Sequence, residues 1–202
     1  MNNCYLDAEA VITFFRMTGR KHIFITGSRG SGKSHLVNNM LKHMSDSFNL
    51  LQSHRTDTPQ VVIKSNLVAG NKEFVIGVPR TSGINPASKG NNMTIIEDGF
   101  INCAIPAIDT HLDTTPERLF VIDELGYLES SCIPFQKAVE KLLDNSHVLA
   151  VIRKQSTEFL NRICNRKDVL VIDIDSTFET LSCIIMASGM SKRFGSNKLI
   201  TD

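Results

Sequence analysis

The strongest constraint on this chain is the segment at residues 27–34, which reads Gly-Ser-Arg-Gly-Ser-Gly-Lys-Ser. It matches the pattern G-x-x-x-x-G-K-[ST] at every position. The apolar residues 22–26 before it predict a buried strand, and residues 35–44 after it place apolar side chains at helical spacing. A strand, a glycine-rich turn and a helix in this order are the context that a phosphate-binding loop requires. The alternative is a chance match in an ordinary glycine turn.

Each residue type in this loop has a physical reason to bind phosphate. Gly27, Gly30 and Gly32 permit backbone angles that are closed to other residues, and they leave no side chain in the path of a phosphate. The backbone N–H groups can then converge on the anion, and the N-terminus of the following helix adds partial positive charge. Lys33 is placed to reach the β- and γ-phosphates, and the Ser34 hydroxyl is placed to ligate Mg²⁺. The predicted nucleotide-binding residues are Gly27, Ser28, Arg29, Gly30, Ser31, Gly32, Lys33, Ser34 and His35.

Composition narrows the class of protein. With 202 residues, of which 42% are hydrophobic and 21% charged, the chain can hold one α/β domain, or one domain and a fragment. A formal charge of +1 gives no general attraction to nucleic acid or to an anionic membrane. No apolar run reaches the ~18 residues of a spanning helix, and the N-terminus lacks the features of a signal peptide. We therefore expect no nucleic acid and no membrane among the partners.

The cysteines and histidines do not form a metal-binding or disulfide pattern. The five cysteines are odd in number and none stand in C-x-x-C spacing, so we expect reduced thiols in a cytoplasmic protein. The six histidines are scattered and there is no H-E-x-x-H motif, which argues against a transition-metal site.

The rest of the chain largely alternates predicted helices with predicted strands. The predicted helices cover residues 7–17, 35–44, 131–143 and 157–164, and the predicted strands cover residues 22–26, 61–68, 74–78, 93–96, 119–124, 147–152 and 169–173. Asp7 is the expected N-cap of the first helix and Gly19 its expected C-terminal cap. Residues 69–73 have the turn chemistry of a hairpin, residues 45–60 carry few signals, residues 79–92 resemble a loop, and residues 101–108 are apolar but poorly patterned. This alternation predicts a parallel sheet with right-handed crossovers.

A second informative stretch, residues 119–126, reads Leu-Phe-Val-Ile-Asp-Glu-Leu-Gly. Four apolar residues followed by Asp123 and Glu124 predict a buried central strand that ends in two carboxylates. At the carboxyl end of a parallel strand these side chains face the crevice where phosphate binds, so Asp123 is placed to hold Mg²⁺. Glu124 is suited to polarise a water as a general base. The alternative is a pair of strand-end acids that only contact solvent.

Four cationic side chains in other segments have two possible roles. Arg153 and Lys154 follow the strand at residues 147–152, on the edge where open α/β sheets bind ligands. Arg80 and Lys89 lie in the loop at residues 79–92. Each can supply charge to a nucleotide, but charged residues after strands and in loops are more often solvated, and we prefer that interpretation for all four.

The motifs together resemble a known family. The loop at 27–34, the segment Asp-Glu-Leu-Gly-Tyr-Leu-Glu at 123–129, Phe135 and the short β-α-β ending are similar to the cancer-related nucleoside-triphosphatase family. That family carries Asp-Glu-Ile-Gly-x-Met-Glu, so Leu125 and Leu128 are mild departures and Glu129 falls on its last acid. The resemblance covers roughly residues 21–175 and is weak at 50–110. It implies an ASCE/RecA-like P-loop NTPase fold, which is a three-layer α/β sandwich with a mostly parallel central sheet and a hairpin insertion. It also implies Mg²⁺-dependent hydrolysis of NTPs to NDP and phosphate, with loose base selectivity.

The C-terminal residues have a different resemblance. Residues 183–187 predict a strand, and residues 187–198 resemble the opening of nucleotidyltransferases of the molybdenum-cofactor cytidylyl/guanylyltransferase type. The matching residues are Ala187, Gly189, Ser191, Arg193, Phe194, Gly195 and Lys198, whereas Ser188 departs from the usual Ala. We therefore expect a P-loop NTPase domain at 1–180 and, at 181–202, the truncated start of a fused nucleotidyltransferase domain. The alternative is a surface tail with a chance pattern.

These observations predict a P-loop nucleoside triphosphatase that binds NTP with Mg²⁺ as its cofactor. The predicted catalytic residues are Lys33 and Glu124, and the predicted metal ligands are Ser34 and Asp123. Two rival functions remain open. One is a P-loop kinase acting on a small molecule, and the other is a nucleotide-sensing module that regulates the attached transferase.

Overall fold

The glycine-rich loop begins at the end of an interior strand. In the computed structural model, which describes residues 6–44, 47–80 and 93–176, β1 (His22–Gly27) lies between β7 (His147–Arg153) and β8 (Val169–Asp173) and is parallel to both. The other strands are β2 (Phe48–Arg55), β3 (Val61–Ser65), β4 (Phe74–Pro79), β5 (Met93–Ile95) and β6 (Leu119–Leu125). Together they form one sheet in the order β5-β4-β3-β2-β6-β7-β1-β8.

The sheet has a parallel part and an antiparallel part. The pairs β2–β6, β6–β7, β7–β1 and β1–β8 are parallel, as the alternation of strands and helices predicted. The pairs β2–β3, β3–β4 and β4–β5 are antiparallel, and β3 and β4 form the predicted hairpin. The mostly parallel sheet with a hairpin is therefore confirmed, and the hairpin extends the same sheet instead of standing apart from it.

Helices cover both faces of the sheet. They are α1 (Ala8–Thr18), α2 (Lys33–Met44), α3 (Glu97–Gly99), a π-helical segment (Phe100–Ala104), α4 (Ile105–Thr114), α5 (Ile133–Asn145) and α6 (Glu158–Cys164). Ile23 and Ile25 of β1 pack in the core with α1 and α2. Phe24 points to the opposite core, which contains side chains from α4, α5 and α6. This alternation along a buried strand produces the predicted three-layer α/β sandwich.

The first helix has the predicted caps. The Asp7 carboxylate accepts a hydrogen bond from the Ala10 backbone N–H at 3.0 Å. Gly19 adopts a left-handed φ of 63°, and its N–H donates to the Arg16 carbonyl. A side-chain acceptor at one end and a left-handed glycine at the other satisfy backbone groups that the helix itself leaves unpaired.

Two elements were not recognised from the sequence. The strand β2 lies within residues 45–60, where no element was predicted. It was missed because only its first half is largely apolar, whereas its second half, from Gln52 to Arg55, is polar. Residues 101–108 belong to a continuous helical stretch from Glu97 to Thr114. There the exposed Ile101 stands beside the buried Phe100, so apolar residues on both faces hide the helical period.

None of the described helices combines the length and the apolar character that a membrane span requires. Cys103 and Cys132 are buried, and burial raises the pKa of the Cys103 thiol to about 11. Cys4, Cys183, Lys89 and the transferase-like segment at 181–202 lie outside the described residues.

The buried His22 at the start of β1 makes the stability of the fold depend on pH. Its ring is fully buried, and its Nε2 lies 3.4 Å from the Asp168 carboxylate. The other charged or titratable groups near the ring are Lys21, Arg166 and His147. Burial is the main cause that lowers its pKa from 6.5 to about 4, although Asp168 opposes the shift. Between these two pH values the unfolded chain binds more protons than the folded chain, so stability falls as the pH decreases.

We predict that this linkage removes about 3 kcal/mol of unfolding free energy between roughly pH 6.5 and pH 4, since one pKa unit corresponds to about 1.4 kcal/mol. His22→Phe should flatten the pH dependence of Tm across that range, measured by thermal denaturation at intervals of half a pH unit. His43→Phe is the control, because His43 lies exposed on α2. An unchanged slope for His22→Phe would contradict the assignment.

Candidate active site

The glycine-rich loop connects β1 to α2 through backbone conformations that favour glycine. Gly30 and Gly32 have φ values of 79° and 94°, in the left-handed region. Gly27 is restricted by space as well, because a Cβ there would lie 2.7 Å from the Ser31 Oγ. The Ser31 N–H donates to the Ser28 carbonyl at 3.2 Å, which closes a tight turn inside the loop. The loop therefore has the compact shape that the motif predicted.

Lys33 is the first residue of α2, and its side chain folds back over the loop. The Lys33 Nζ donates to the carbonyl oxygens of Gly27 at 2.9 Å and Ser28 at 2.7 Å. These bonds hold the ammonium group at the N-terminus of the helix, where backbone N–H groups and the helix dipole already favour an anion.

The carboxyl ends of β2, β6 and β7 meet this loop around a cavity of about 600 Å³. That volume lies within the range of small-molecule sites. The lining residues are Gly27, Ser28, Arg29, Gly30, Lys33, Ser34, Ser53, His54, Arg55, Val61, Asp123, Glu124, Val151, Arg153, Lys154 and Gln155. Five of these side chains are Lys or Arg and two are carboxylates, so the lining suits a polyanion.

Asp123 is partly buried near the end of β6. Its Oδ2 accepts a hydrogen bond from the Gln52 Nε2 of β2 at 3.2 Å. Burial raises the pKa of the Asp123 carboxyl, whereas the Gln52 bond and the positive charge of Lys33 lower it by less. A carboxyl group in this situation gains from a bound cation, which stabilises its ionised form.

Glu124 faces Arg153 across the boundary between β6 and β7. The Arg153 Nε lies 3.2 Å from the Glu124 Oε1, and both side chains are partly exposed. The pairing of β6 with β7 is irregular between Asp123 and Leu125, so Glu124 lies at a bulge. Bulges often re-aim side chains next to active sites, which is consistent with the direction of Glu124 toward the cavity.

Glu129, at the position of the last acid in the family motif, supports the backbone and does not line the cavity as Asp123 and Glu124 do. It is 5% exposed, and its carboxylate accepts a hydrogen bond from the Gly126 N–H at 2.9 Å. Burial raises the pKa of Glu129. The residue holds the turn that follows β6 and is not part of the cavity lining given above.

The loop is also anchored from the end of β8. The Asp175 carboxylate accepts hydrogen bonds from the Ser28 N–H at 2.7 Å and from the Ser28 Oγ at 3.0 Å. Lys154 joins this group through Asp173 at 2.9 Å and Asp175 at 3.0 Å. The bonds from Lys154 and Ser28 lower the pKa of Asp175, so its carboxylate stays ionised and fixes the first turn of the loop.

Most of the predicted site residues come together in this cavity. Gly27, Ser28, Arg29, Gly30, Lys33, Ser34, Asp123 and Glu124 all line it. Ser31, Gly32 and His35 do not line it, and the His35 ring lies 3.1 Å from the Asn39 amide on α2. A nucleotide contact remains a prediction for all nine predicted nucleotide-binding residues, including these three. Arg153 and Lys154 were predicted to be solvated, and their side chains are indeed partly exposed. Both nevertheless line the cavity and form ion pairs there. Arg80 is exposed, as preferred.

Several cavity residues were missed in the sequence. Ser53, His54 and Arg55 line the cavity from β2, and Gln52 of the same strand contacts Asp123, but the polar second half of this strand was not recognised. The signal was present, since polar residues directly after an apolar run are typical of a strand that ends at a ligand site. The anchoring role of Asp175 had no local signal, because its partner Ser28 is 147 residues away.

The donor atoms in the cavity fit a magnesium ion. The Ser34 hydroxyl and the Asp123 carboxylate both line it. Hard oxygen donors of this kind suit Mg²⁺, which takes its other ligands from water and phosphate. Within the described ranges no group of three or more His, Cys, Asp or Glu side chains is placed to hold a metal. A site of one carboxylate and one hydroxyl therefore matches Mg²⁺ better than a metal that needs a complete protein cage.

Comparisons with known proteins show the family to which the chain belongs. The sequence profile of a family described as NTPase matches residues 22–178. Nucleoside-triphosphatase THEP1 of Thermotoga sp. (strain RQ2) is 25% identical over 155 residues, which are 76% of this chain and 86% of the relative. The protein of the same name from Thermotoga maritima is 23% identical over 154 residues, with the same two coverages of 76% and 86%.

Two solved structures share the fold. The crystal structure of THEP1 from the hyperthermophile Aquifex aeolicus has a TM-score of 0.60 at 17% identity, covering 78% of this chain and 92% of that chain. The solution structure of a human cancer-related nucleoside triphosphatase has a TM-score of 0.56 at 20% identity, covering 76% and 88%. These similarities confirm the predicted P-loop NTPase fold class.

The glycines of the loop provide a test of the site that is independent of turnover. We predict that Gly27→Ala weakens the binding of the β,γ-imido analogue of ATP by at least about tenfold, since backbone strain and displacement of Ser31 typically cost 1–3 kcal/mol. The affinity is measured by isothermal titration.

Gly19→Ala is the matched control. It introduces a side chain at a φ of 63° with no atom within 4 Å, outside the loop. It should lower the stability by about 1 kcal/mol and leave the affinity for the analogue unchanged. Equal losses of affinity in the two variants would show that the loss in Gly27→Ala does not arise from the conformation of the loop.

Proposed function

Because this chain belongs to the NTPase family, we propose that it is a nucleoside triphosphatase that hydrolyses NTP to NDP and phosphate. The observation that carries this proposal is the meeting of the loop at 27–34 with Asp123 and Glu124 around one cavity. The name of the Thermotoga relatives, nucleoside-triphosphatase, supports the same reaction.

The loop and Lys33 bind the phosphates. The carbonyl oxygens of Gly27 and Ser28, which accept from the Lys33 Nζ, are exchanged for phosphate oxygens when the polyphosphate binds. The ammonium group then lies against the charge that develops on the transferred phosphoryl group. Arg29, Arg55 and Lys154 add positive charge along the same lining. Phosphate contacts of this kind do not select the base, which agrees with loose base selectivity.

Glu124 acts as the general base. Its carboxylate is 26% exposed, so water has access to it from the cavity. The water oxygen attacks the γ-phosphorus, the bond to the β–γ bridging oxygen breaks, and the water proton passes to Glu124. Products are NDP, which carries the bridging oxygen, and inorganic phosphate.

Ser34 and Asp123 are the residues that would hold Mg²⁺. The ion, when bound, offsets the negative charge of the β- and γ-phosphates. The Gln52 amide keeps the Asp123 carboxylate oriented from β2. This hydrogen bond matters because the orientation of a metal-binding carboxylate is commonly set by the hydrogen bonds that it accepts.

The domain organisation is also part of the proposal. Residues 1–180 form the NTPase domain, and residues 181–202 begin a nucleotidyltransferase domain in a longer, cytoplasmic, bifunctional protein. The family match to residues 22–178 and the motif at 187–198 support this division. The coding sequence that follows Asp202 tests it, because a complete transferase domain supports the fusion and an immediate stop contradicts it.

Two substitutions test the catalytic residues. We predict that Lys33→Ala lowers kcat for ATP by at least about 10²-fold through loss of transition-state charge stabilisation. Glu124→Gln should lower kcat by about 10²- to 10⁴-fold through loss of the base, while the nucleotide still binds. The assay is phosphate release with several NTPs.

Matched controls lie on the same chain, away from the cavity. Lys42→Ala changes an exposed lysine on α2, and Glu140→Gln changes a glutamate that pairs with Arg162. Both should retain the turnover of the wild type. Equal turnover of wild type and Glu124→Gln would refute the base assignment. NDP formation only with an added acceptor would indicate a kinase, and tight binding without turnover would indicate a nucleotide sensor.

A separate prediction concerns the metal. Removal of divalent cations with EDTA should abolish phosphate release, and Asp123→Asn should raise the Mg²⁺ concentration for half-maximal activity by at least about tenfold. Asp109→Asn, in an exposed ion pair with Lys141 on α4 and α5, is the control and should leave this concentration unchanged. An unaltered Mg²⁺ requirement in Asp123→Asn would remove Asp123 from the metal site.

A further inference from the structure

We propose that Arg153 is a positioning residue whose guanidinium group is shared between Glu124 and the γ-phosphate. NTP binding withdraws Arg153 from Glu124 and leaves the carboxylate free to accept the proton of water. NDP lacks the competing group and leaves the ion pair in place. This inference rests on the proposed function of Glu124 as the base, and it adds a residue that detects the third phosphate.

The position of Arg153 in the sheet allows contact with both partners. Arg153 is the last residue of β7, the strand between β1 and β6. On one side it is paired in register with Gly27, the first residue of the phosphate-binding loop. On the other side, the bulge in β6 brings Glu124 beside it, with 3.2 Å between the Arg153 Nε and the Glu124 Oε1. A long side chain at this point borders the loop and the proposed base at once.

Local packing directs Arg153 toward Glu124. A Cβ at Gly126 would lie 2.8 Å from the Arg153 Cδ, so only a glycine leaves the present path of the arginine side chain open. The guanidinium carbon also lies 6.0 Å from the centroid of the Tyr127 ring, within the range of a cation–π contact. Gly126 and Tyr127, which follow the acid pair, thus lie beside the arginine side chain where it approaches Glu124.

The strength of the ion pair is suited to exchange. The Arg153 side chain is 39% exposed and the Glu124 side chain 26%, so water screens their attraction. Partly exposed pairs of this kind contribute little to stability. A guanidinium group binds phosphate through charge-assisted, often bidentate hydrogen bonds, which are among the stronger polar contacts in proteins. A γ-phosphate in the same cavity therefore competes effectively for Arg153.

A double-mutant cycle read by binding tests this sharing. Dissociation constants for the β,γ-imido analogue of ATP and for ADP, both with Mg²⁺, are measured for the wild type, Glu124→Gln, Arg153→Ala and the double variant. We expect Glu124→Gln to tighten binding of the analogue by about threefold or more, because Arg153 is no longer held by a carboxylate. Arg153→Ala should weaken the analogue by about tenfold and change the affinity for ADP by less than about twofold.

The coupling between the two substitutions is the decisive quantity. In the Arg153→Ala background, Glu124→Gln should change the affinity for the analogue by less than about twofold, since no shared cation is left to release. Arg153→Lys should restore part of the preference for the analogue over ADP, because it keeps the positive charge. Arg162→Ala, which removes an arginine from an exposed ion pair on α6, should leave both affinities unchanged.

Two results would overturn the inference. Equal tightening by Glu124→Gln with and without Arg153 would mean that the carboxylate acts only through its own charge. Equal weakening of ADP and the analogue by Arg153→Ala would mean that Arg153 does not distinguish the third phosphate. Because these are binding measurements, they are separate from the proposed hydrolysis. A wild-type chain without turnover that still shows the coupling would refute hydrolysis and retain the shared arginine.

Discussion

The parallel pairing of β7 with β1 on one side and β6 on the other is the constraint on which this site depends. It sets the phosphate-binding loop and the acid pair two strand spacings apart, about 10 Å, which leaves room for phosphates and a water between them. Arg153 at the end of β7 occupies the intermediate position. The β6 bulge and the absence of a side chain at Gly126 let it approach Glu124. One inserted strand thus determines both the width of the cavity and the residue that spans it.

The electrostatics of the cavity follow from which groups are buried. For Asp123, burial outweighs the Gln52 hydrogen bond and the charge of Lys33, so its pKa is raised, and a bound cation stabilises its ionised form. Asp175 is in the opposite situation, because Lys154 and two bonds from Ser28 lower its pKa. The first carboxyl is suited to a metal, and the second to permanent anchoring of the loop. The same residue type therefore has two different roles within one site.

Local sequence patterns predicted most of the fold because their signals were short in range. The apolar run of β1, the turn between β3 and β4, and the caps at Asp7 and Gly19 each depend on a few neighbouring residues, and the structure contains them all. The polar end of β2 was missed because residues 53–55 line a ligand cavity and do not alternate between core and solvent, so the usual strand pattern is absent there. The helix from Glu97 to Thr114 was hidden by apolar side chains on both of its faces.

By itself, the sequence determined the loop at 27–34, the acid pair Asp123 and Glu124, and the α/β class, because each of these is a property of contiguous residues. Only the tertiary structure decided which distant residues complete the site. It placed Gln52 against Asp123, Asp175 against Ser28, and Arg153 against Glu124. These pairs are separated by between 29 and 147 positions, and strand order and register bring them together. Such pairings depend on how the sheet is assembled, which no short stretch of sequence encodes.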